Sequence, residues 1–364
     1  MAEMEPCPEC GAPRYMTDEF LWLDSGVIVQ RRDPKHRVVF IECENLDPLI
    51  AGIGDIIGRS IETIVIESRR RGARDYVLQF LPEGFAEQLH RDHSALEPVI
   101  ASQLAATSLM GFGLASLVDL RYEEDEDDYV DIRVERPFSV PLWCGNIAGA
   151  CEAVTGGEWK AEYRHISSEL YELHAFRSEH PPQVRGKALR RDYVHRPGDL
   201  ELKRCATCGG PAVLSRFRWQ PARGLIGSAY TDRRVSFNGE TGLQEVFVEL
   251  EKELGETITR VVIEAQRRFI KSGFFTIEGL LSEADFRTQF AYRGLGNLSE
   301  FRMGATGLHM KLENPTLHLT VIGFAQALFE LAFGRKSGVD WELTAGGDLL
   351  AEVTPQPLPT HSLG

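Results

Sequence analysis

The chain has 364 residues, 43% of them hydrophobic and 26% charged, a globular composition with room for two cores of roughly 150 to 180 residues each. Its formal net charge of −14 opposes attraction to nucleic acid and to anionic membrane surfaces, and no apolar run approaches the roughly 20 residues that would span a bilayer. The acidic start lacks the basic region and apolar stretch of a secretory signal, so the expected location is cytoplasmic, where seven cysteines serve as metal ligands or packing groups rather than disulfides.

Cys7-Pro8-Glu9-Cys10-Gly11 opens the N-terminal half and returns as Cys205-Ala206-Thr207-Cys208-Gly209. Such a turn sets two thiolates on one side of a tight loop, which is half of a tetrahedral zinc site. A redox pair would call for a helix N-terminus, and Gly-Ala-Pro or Gly-Gly-Pro follows instead. The expectation is one structural Zn2+ held by Cys7, Cys10, Cys205 and Cys208 across a pseudo-two-fold axis. Two separate zinc sites with further ligands are the alternative.

After the cysteine turn, Phe20-Leu21-Trp22 corresponds to Phe217-Arg218-Trp219. The same offset pairs Arg37-Val38 with Arg234-Val235, Phe40 with Phe237, Leu46 with Leu243, Gly58 with Gly255, and Ile64 to Glu67 with Val261 to Glu264. A shared register of this length marks a duplicated structural unit. Phe20 to Gln30 and Arg37 to Glu42 read as strands of an early hairpin. Leu46 to Arg71 has aliphatics at helical spacing and ends in arginines, with Leu243 to Arg268 as its counterpart. The run Arg69 to Arg74 reads as a solvated helix end. A helix over Phe85 to Leu109 is interrupted at Pro98, and Asp285 starts its shorter equivalent.

A second module follows in each half. Gly111-Phe112-Gly113 answers Gly294-Leu295-Gly296, and a hairpin leads to Val134-Glu135-Arg136-Pro137 or Leu312-Glu313-Asn314-Pro315. Apolar helices then cover Leu142 to Val154 and Leu319 to Phe333, each closed by a hairpin. The expected domains are 1–177 and 205–355, joined by a basic, Pro-containing linker over 178–204 and followed by a disordered tail over 356–364.

The second module resembles the 4-vinyl reductase-like domain. The matching residues are Gly294, Gly296, Leu312-Glu313-Asn314-Pro315, Gly323, Glu330 and Trp341, and in the first half Gly111, Gly113, Val134-Glu135-Arg136-Pro137, Gly145, Gly149, Glu152 and Tyr163. The resemblance implies an α+β fold of two tandem repeats, each an antiparallel sheet packed with helices. To this the cysteine turns add a zinc-knuckle hairpin at the start of each repeat. It further implies a buried cavity for a small hydrophobic or aromatic molecule, with Trp143, Ile147, Phe324 and Leu328 on the helices beside it. Domains of this kind often dimerise, and duplication would supply that dimer within one chain, with further self-association left open. The cysteine cluster of many members is absent from the closing hairpins, which carry Tyr163-Arg164-His165 and Trp341-Glu342-Leu343.

Other motifs read as structure. Gly52-Ile53-Gly54 lies in a helical pattern and corresponds to Glu249 and Glu251 at its glycines, which no phosphate cradle would accept. Cys144 and Cys151 correspond to Ile322 and Phe329 and read as core, while Cys43 corresponds to Glu240 and does not recur as cysteine. His90 and His93 read as surface histidines, and Glu152 and Glu330 as helix-edge carboxylates that cap and solvate. No nucleophile elbow, phosphate loop or His-Glu-x-x-His is present. The expected function is non-catalytic binding of a small hydrophobic or aromatic ligand, as a sensor or carrier. A protein-interaction scaffold and a tetrapyrrole-related enzyme or accessory protein are the alternatives.

Overall fold

The computed structural model describes residues 5–181, 185–186, 196–229, 233–274 and 283–357. Its N-terminal part runs α1 (Arg14–Glu19), β1 (Phe20–Trp22), β2 (Ile28–Gln30), β3 (Arg37–Glu42), α2 (Cys43–Ile57), α3 (Glu62–Val77), α4 (Phe85–Arg91), α5 (Leu96–Leu109), β4 (Leu114–Arg121), β5 (Tyr129–Glu135), α6 (Val140–Thr155), β6 (Trp159–Ser167) and β7 (Leu170–Arg177). The C-terminal part runs β8 (Phe217–Gln220), β9 (Leu225–Ser228), β10 (Arg234–Gly239), α7 (Glu240–Leu254), α8 (Ile258–Phe269), α9 (Glu283–Tyr292), β11 (Asn297–Gly304), β12 (Gly307–Glu313), α10 (His318–Phe333), β13 (Ser337–Leu343) and β14 (Leu349–Pro355). The fold is mixed α+β with antiparallel sheets packed with helices.

Several expected elements divide where the backbone demands it. The strand read over Phe20 to Gln30 is two strands, β1 and β2, because the chain reverses at Gly26, whose φ is +73°. The long helix read over Leu46 to Arg71 is α2 and α3, since Gly58 ends α2 at φ +76°, and Gly255 separates α7 from α8 at φ +82°. Pro98 does not interrupt a helix; it sits in the first turn of α5, where its missing N–H costs nothing. Of the expected linker and tail, 182–184, 187–195 and 358–364 lie outside the described residues, and 178–181 and 196–203 carry no helix or strand.

The two parts meet in one six-stranded sheet of order β1-β2-β3-β10-β9-β8. At its centre β3 and β10 run antiparallel with Phe40 opposite Phe237. These rings lie 4.6 Å apart, and Phe20 and Phe217 pack onto them at 4.5 and 5.1 Å. Two four-stranded sheets, β4-β5-β7-β6 and β11-β12-β14-β13, have the same strand order.

Corresponding motifs cross between the parts. The amide of Phe237 donates to Met110 O and that of Phe40 to Arg293 O, immediately before the two Gly-x-Gly motifs. A Cβ on Gly111 would come within 2.6 Å of Val235 O, and one on Gly294 within 2.5 Å of Val38 O, so these glycines permit backbone to approach backbone. Arg37 donates to the carbonyls of Asn314 and Pro315 at 3.3 Å, and Arg234 to those of Arg136 and Pro137 at 2.7 and 3.5 Å. Each half thus satisfies the strained Glu-x-Pro turn of the other, in which Arg136 and Asn314 stand at φ +52° and +50°.

Glu152 and Glu330 differ from expectation. They are buried, not solvated helix edges, because each ties its helix to the helix and strand beside it. Glu152 on α6 accepts from Arg70 of α3 at 2.7 Å and from the Trp159 amide at 3.2 Å; Glu330 on α10 accepts from Arg267 of α8 at 2.7 Å and from the Ser337 amide at 2.9 Å. The arginine run is likewise not a solvated end, since Arg69, Arg70 and Arg71 are all buried.

Burial pushes both carboxyls up, but at Glu152 the hydrogen bond of His180 and the charge of Arg70 outweigh it, and at Glu330 those of Lys271, Ser337 and Arg267 do so. Both therefore lie below the ordinary carboxylate range, and their stabilisation is complete above the unfolded value of about 4.3 and lost as pH falls through the folded one. Glu152→Gln leaves buried Arg70 with Glu67 alone, at 2.9 Å, and is expected to cost about 1.5–3 kcal/mol in urea denaturation at pH 7. The deficit should narrow as the pH is lowered to 3; a deficit that stays constant would remove the ion pair as its cause.

Candidate functional site

The two Cys-x-x-Cys turns fold alike. Cys7 N donates to Ala12 O and Cys205 N to Gly210 O, while Gly11 and Gly209, at φ +74° and +71°, return their amides to the first cysteine's carbonyl. The strand pairing of β3 with β10 brings the turns together over the aromatic cluster, and the four Sγ atoms lie within 4.8 Å of one another. Cys7 and Cys205 approach to 3.6 Å, as do Cys10 and Cys208. A tetrahedral ion with metal–sulfur bonds of about 2.3 Å needs sulfurs about 3.8 Å apart, so the cluster has the dimensions to hold a metal ion. Cys7, Cys10 and Cys205 are buried and Cys208 is partly exposed. Burial pushes the Cys7 thiol up, but the amides of Cys10 and Glu9 outweigh it and bring it to about 7. Burial pushes Cys10 and Cys205 up, the unfavourable arrangement that a cation at the centre would relieve. Glu9 spans the turns by accepting from Thr207 N and Oγ1 at 3.1 and 2.9 Å.

The second feature is a cavity of about 530 Å3 between α3, α5 and α6 of the N-terminal part, the near end of the central sheet and the start of α7. Leu104, Phe112, Trp143, Ile147 and Val154 supply its apolar wall. Exposed Gln79, Ser102 and Ala105 border it where it reaches the surface. Trp143 is held by its indole N–H, which donates to Phe112 O at 2.7 Å. A cavity of about 130 Å3 lies between α7, α8, α9 and α10 of the C-terminal part and β3 and α2 of the N-terminal part. At four positions the N-terminal part carries the smaller residue: Ala73, Asn146, Ala150 and Cys151 correspond to Ile270, Phe324, Leu328 and Phe329.

Of the residues expected beside a ligand, Trp143 and Ile147 line the larger cavity and Phe324 the smaller, while Leu328 is buried and borders neither. Cys144 and Cys43 are buried, and Cys151 borders the larger cavity. His90 and His93 are exposed and share the carboxylate of Glu124 at 2.6 and 3.1 Å. Sequence reasoning missed Gln30, Arg69, Tyr76 and Asn146, which all line the larger cavity. The available signal was the run of small residues in one half set against large ones in the other.

No protein-family model and no curated protein matches the chain. Among solved structures, the phenol-responsive sensory domain of the transcription activator PoxR with phenol aligns over 44% of this chain and 87% of its own, at 11% identity and a TM-score of 0.31. A mutant Fe(II) unliganded H-NOX protein from K. algicida aligns over 33% and 75%, at 14% identity and 0.25, and a T. Tengcongensis H-NOX mutant over 38% and 82%, at 11% and 0.25. Likeness this slight carries neither a fold nor a function over to this chain.

A cluster shared between the two turns makes the cysteines interdependent. Cys7→Ser and Cys205→Ser, made singly, are each expected to lose the same single metal ion per chain, read by elemental mass spectrometry against protein concentration. Retention of half the original metal in either variant would mean two independent sites.

Proposed function

We propose that the chain is a zinc-containing, non-catalytic binding protein for a small hydrophobic or aromatic molecule, acting as a sensor or carrier. The observation that carries this reading is the cavity of about 530 Å3, with an apolar wall of Leu104, Phe112, Trp143, Ile147 and Val154 and polar groups, Gln30, Arg69, Tyr76 and Asn146 among them, in the rest of its lining. Size, apolar lining and sparse polar groups are what a small-molecule site requires. Four thiolates suit zinc, and a closed four-ligand set leaves no coordination position for a substrate, so the metal's role is structural.

The proposal includes two 4-vinyl reductase-like repeats over 1–177 and 205–355, related by a pseudo-two-fold axis. Its support is the reciprocity of the crossing contacts: Arg37 on the turn at Asn314 against Arg234 on the turn at Arg136, and Phe40 against Phe237. On this reading the C-terminal repeat completes the scaffold, and the N-terminal repeat retains the ligand space.

The test pairs native and denatured mass with a binding titration. One zinc per chain is expected, together with saturable fluorescence enhancement of the neutral probe N-phenyl-1-naphthylamine. Ala150→Leu places the side chain of Leu328 at the corresponding point of the cavity, and should weaken probe binding by about tenfold or more with zinc content unchanged. Absence of saturable binding in the unaltered protein would overturn the reading.

A further inference from the structure

The larger cavity contains one guanidinium, that of Arg69, that no carboxylate contacts directly. Arg69, on α3, is 9% exposed and lines the cavity. Its Nε donates to Asn146 Oδ1 at 2.6 Å. No acidic oxygen among the described residues lies within ion-pairing distance of its guanidinium, whereas the neighbouring Arg70 and Arg71 pair with Glu152 and Glu249 at 2.7 and 2.9 Å. The other charges at the cavity are matched near its mouth: Arg32 pairs with Glu19 at 2.7 Å, and Asp75 with Arg74 at 3.3 Å. The acid nearest in effect is Glu245 of α7, which faces Gly72 behind the cavity wall. Burial pushes Glu245 up to about 8, against the pull of Arg69 and Arg71, and its carboxylate makes no hydrogen bond to either. Burial also lowers Arg69, to about 10, which leaves it charged at neutral pH.

A second polar group faces the same space. Gln30 is 2% exposed, hydrogen-bonds Tyr76, and keeps its Oε1 without a partner. Tyr76 in turn senses the charge of Arg69, so Gln30, Tyr76 and Arg69 form a polar corner of the cavity, whose lining also includes His36, Gln103 and Asn146. Turning the Gln30 amide over would let its oxygen take the Tyr76 hydroxyl and leave its NH2 free to donate to a ligand. The smaller cavity differs here: Gln266 and Phe324 stand at the positions of Arg69 and Asn146, and the guanidinium that borders it, that of Arg293, pairs with Glu42.

We infer that the ligand of the larger cavity is an apolar carboxylate, its anionic head seated on Arg69 and Gln30 and its body against Leu104, Trp143, Ile147 and Val154. A buried guanidinium without a counter-ion is costly, and a carboxylate supplies both the charge and the bidentate geometry it lacks. The inference rests on the ligand-binding reading above and adds the chemistry of the head group.

The experiment is isothermal titration of the full chain with decanoate and decan-1-ol, and with 2-naphthoate and 2-naphthalenemethanol, at pH 7. Each acid is expected to bind at least about tenfold more tightly than its alcohol. Arg69→Met should bring each pair within about threefold while the alcohols keep their affinity, and Arg69→Lys should retain part of the preference. Equal binding of acid and alcohol by the unaltered protein would overturn the inference and leave the hydrophobic-ligand reading standing. Binding of neither would overturn both. A preference that survives in Arg69→Met would move the anion off Arg69, and the ratio in the unaltered protein decides the matter if that variant does not fold.

Discussion

The antiparallel pairing of β3 with β10 is the constraint on which the rest of the molecule depends. By placing Phe40 opposite Phe237 it joins two three-stranded edges into one sheet, and the aromatic side chains of both halves become a single core. The same register carries Arg37 to the turn at Asn314 and Arg234 to the turn at Arg136, and sets the two cysteine turns together over the sheet. A slip of one residue would turn every side chain to the other face of the sheet and undo these contacts together.

On this shared frame the two parts have been filled differently. Buried glycines let α6 lie against α3 and α10 against α8, as where a Cβ on Gly145 would meet Ile66 O at 2.7 Å and one on Gly323 would meet Ile263 O at 2.6 Å. Arg70 with Glu152 and Arg267 with Glu330 lock these contacts in both parts. At the cavities Ala73 and Asn146 on one side stand against Ile270 and Phe324 on the other. Larger side chains take up space that small ones leave open.

Much of this was legible in the sequence, because recurring motifs can be compared with one another. The recurrence of Phe20-Leu21-Trp22, Phe40 and the Gly-x-Gly motifs marked corresponding elements, and the two cysteine turns indicated four sulfurs in one place. The break between α2 and α3 was hidden because the aliphatic spacing runs through Gly58, although a left-handed glycine was the recurring signal at Gly58 and Gly255. Arg69 to Arg71 were misread for a different reason. A run of arginines at a helix end is ordinarily solvated, and here their burial depends on α6 and α7, which are remote in sequence. The polar corner of the cavity was equally invisible, since Gln30, Arg69, Tyr76 and Asn146 come from three elements that only tertiary packing assembles.

The central claim is that one metal ion, held by both cysteine turns, closes the two parts of the chain over their common sheet. Zinc-edge X-ray absorption of the purified full chain tests it most directly. Four sulfur scatterers at about 2.3 Å and no nitrogen or oxygen in the first shell are expected of zinc shared by Cys7, Cys10, Cys205 and Cys208. A first shell of two sulfurs completed by nitrogen or oxygen would contradict it, because each turn would then hold its own ion.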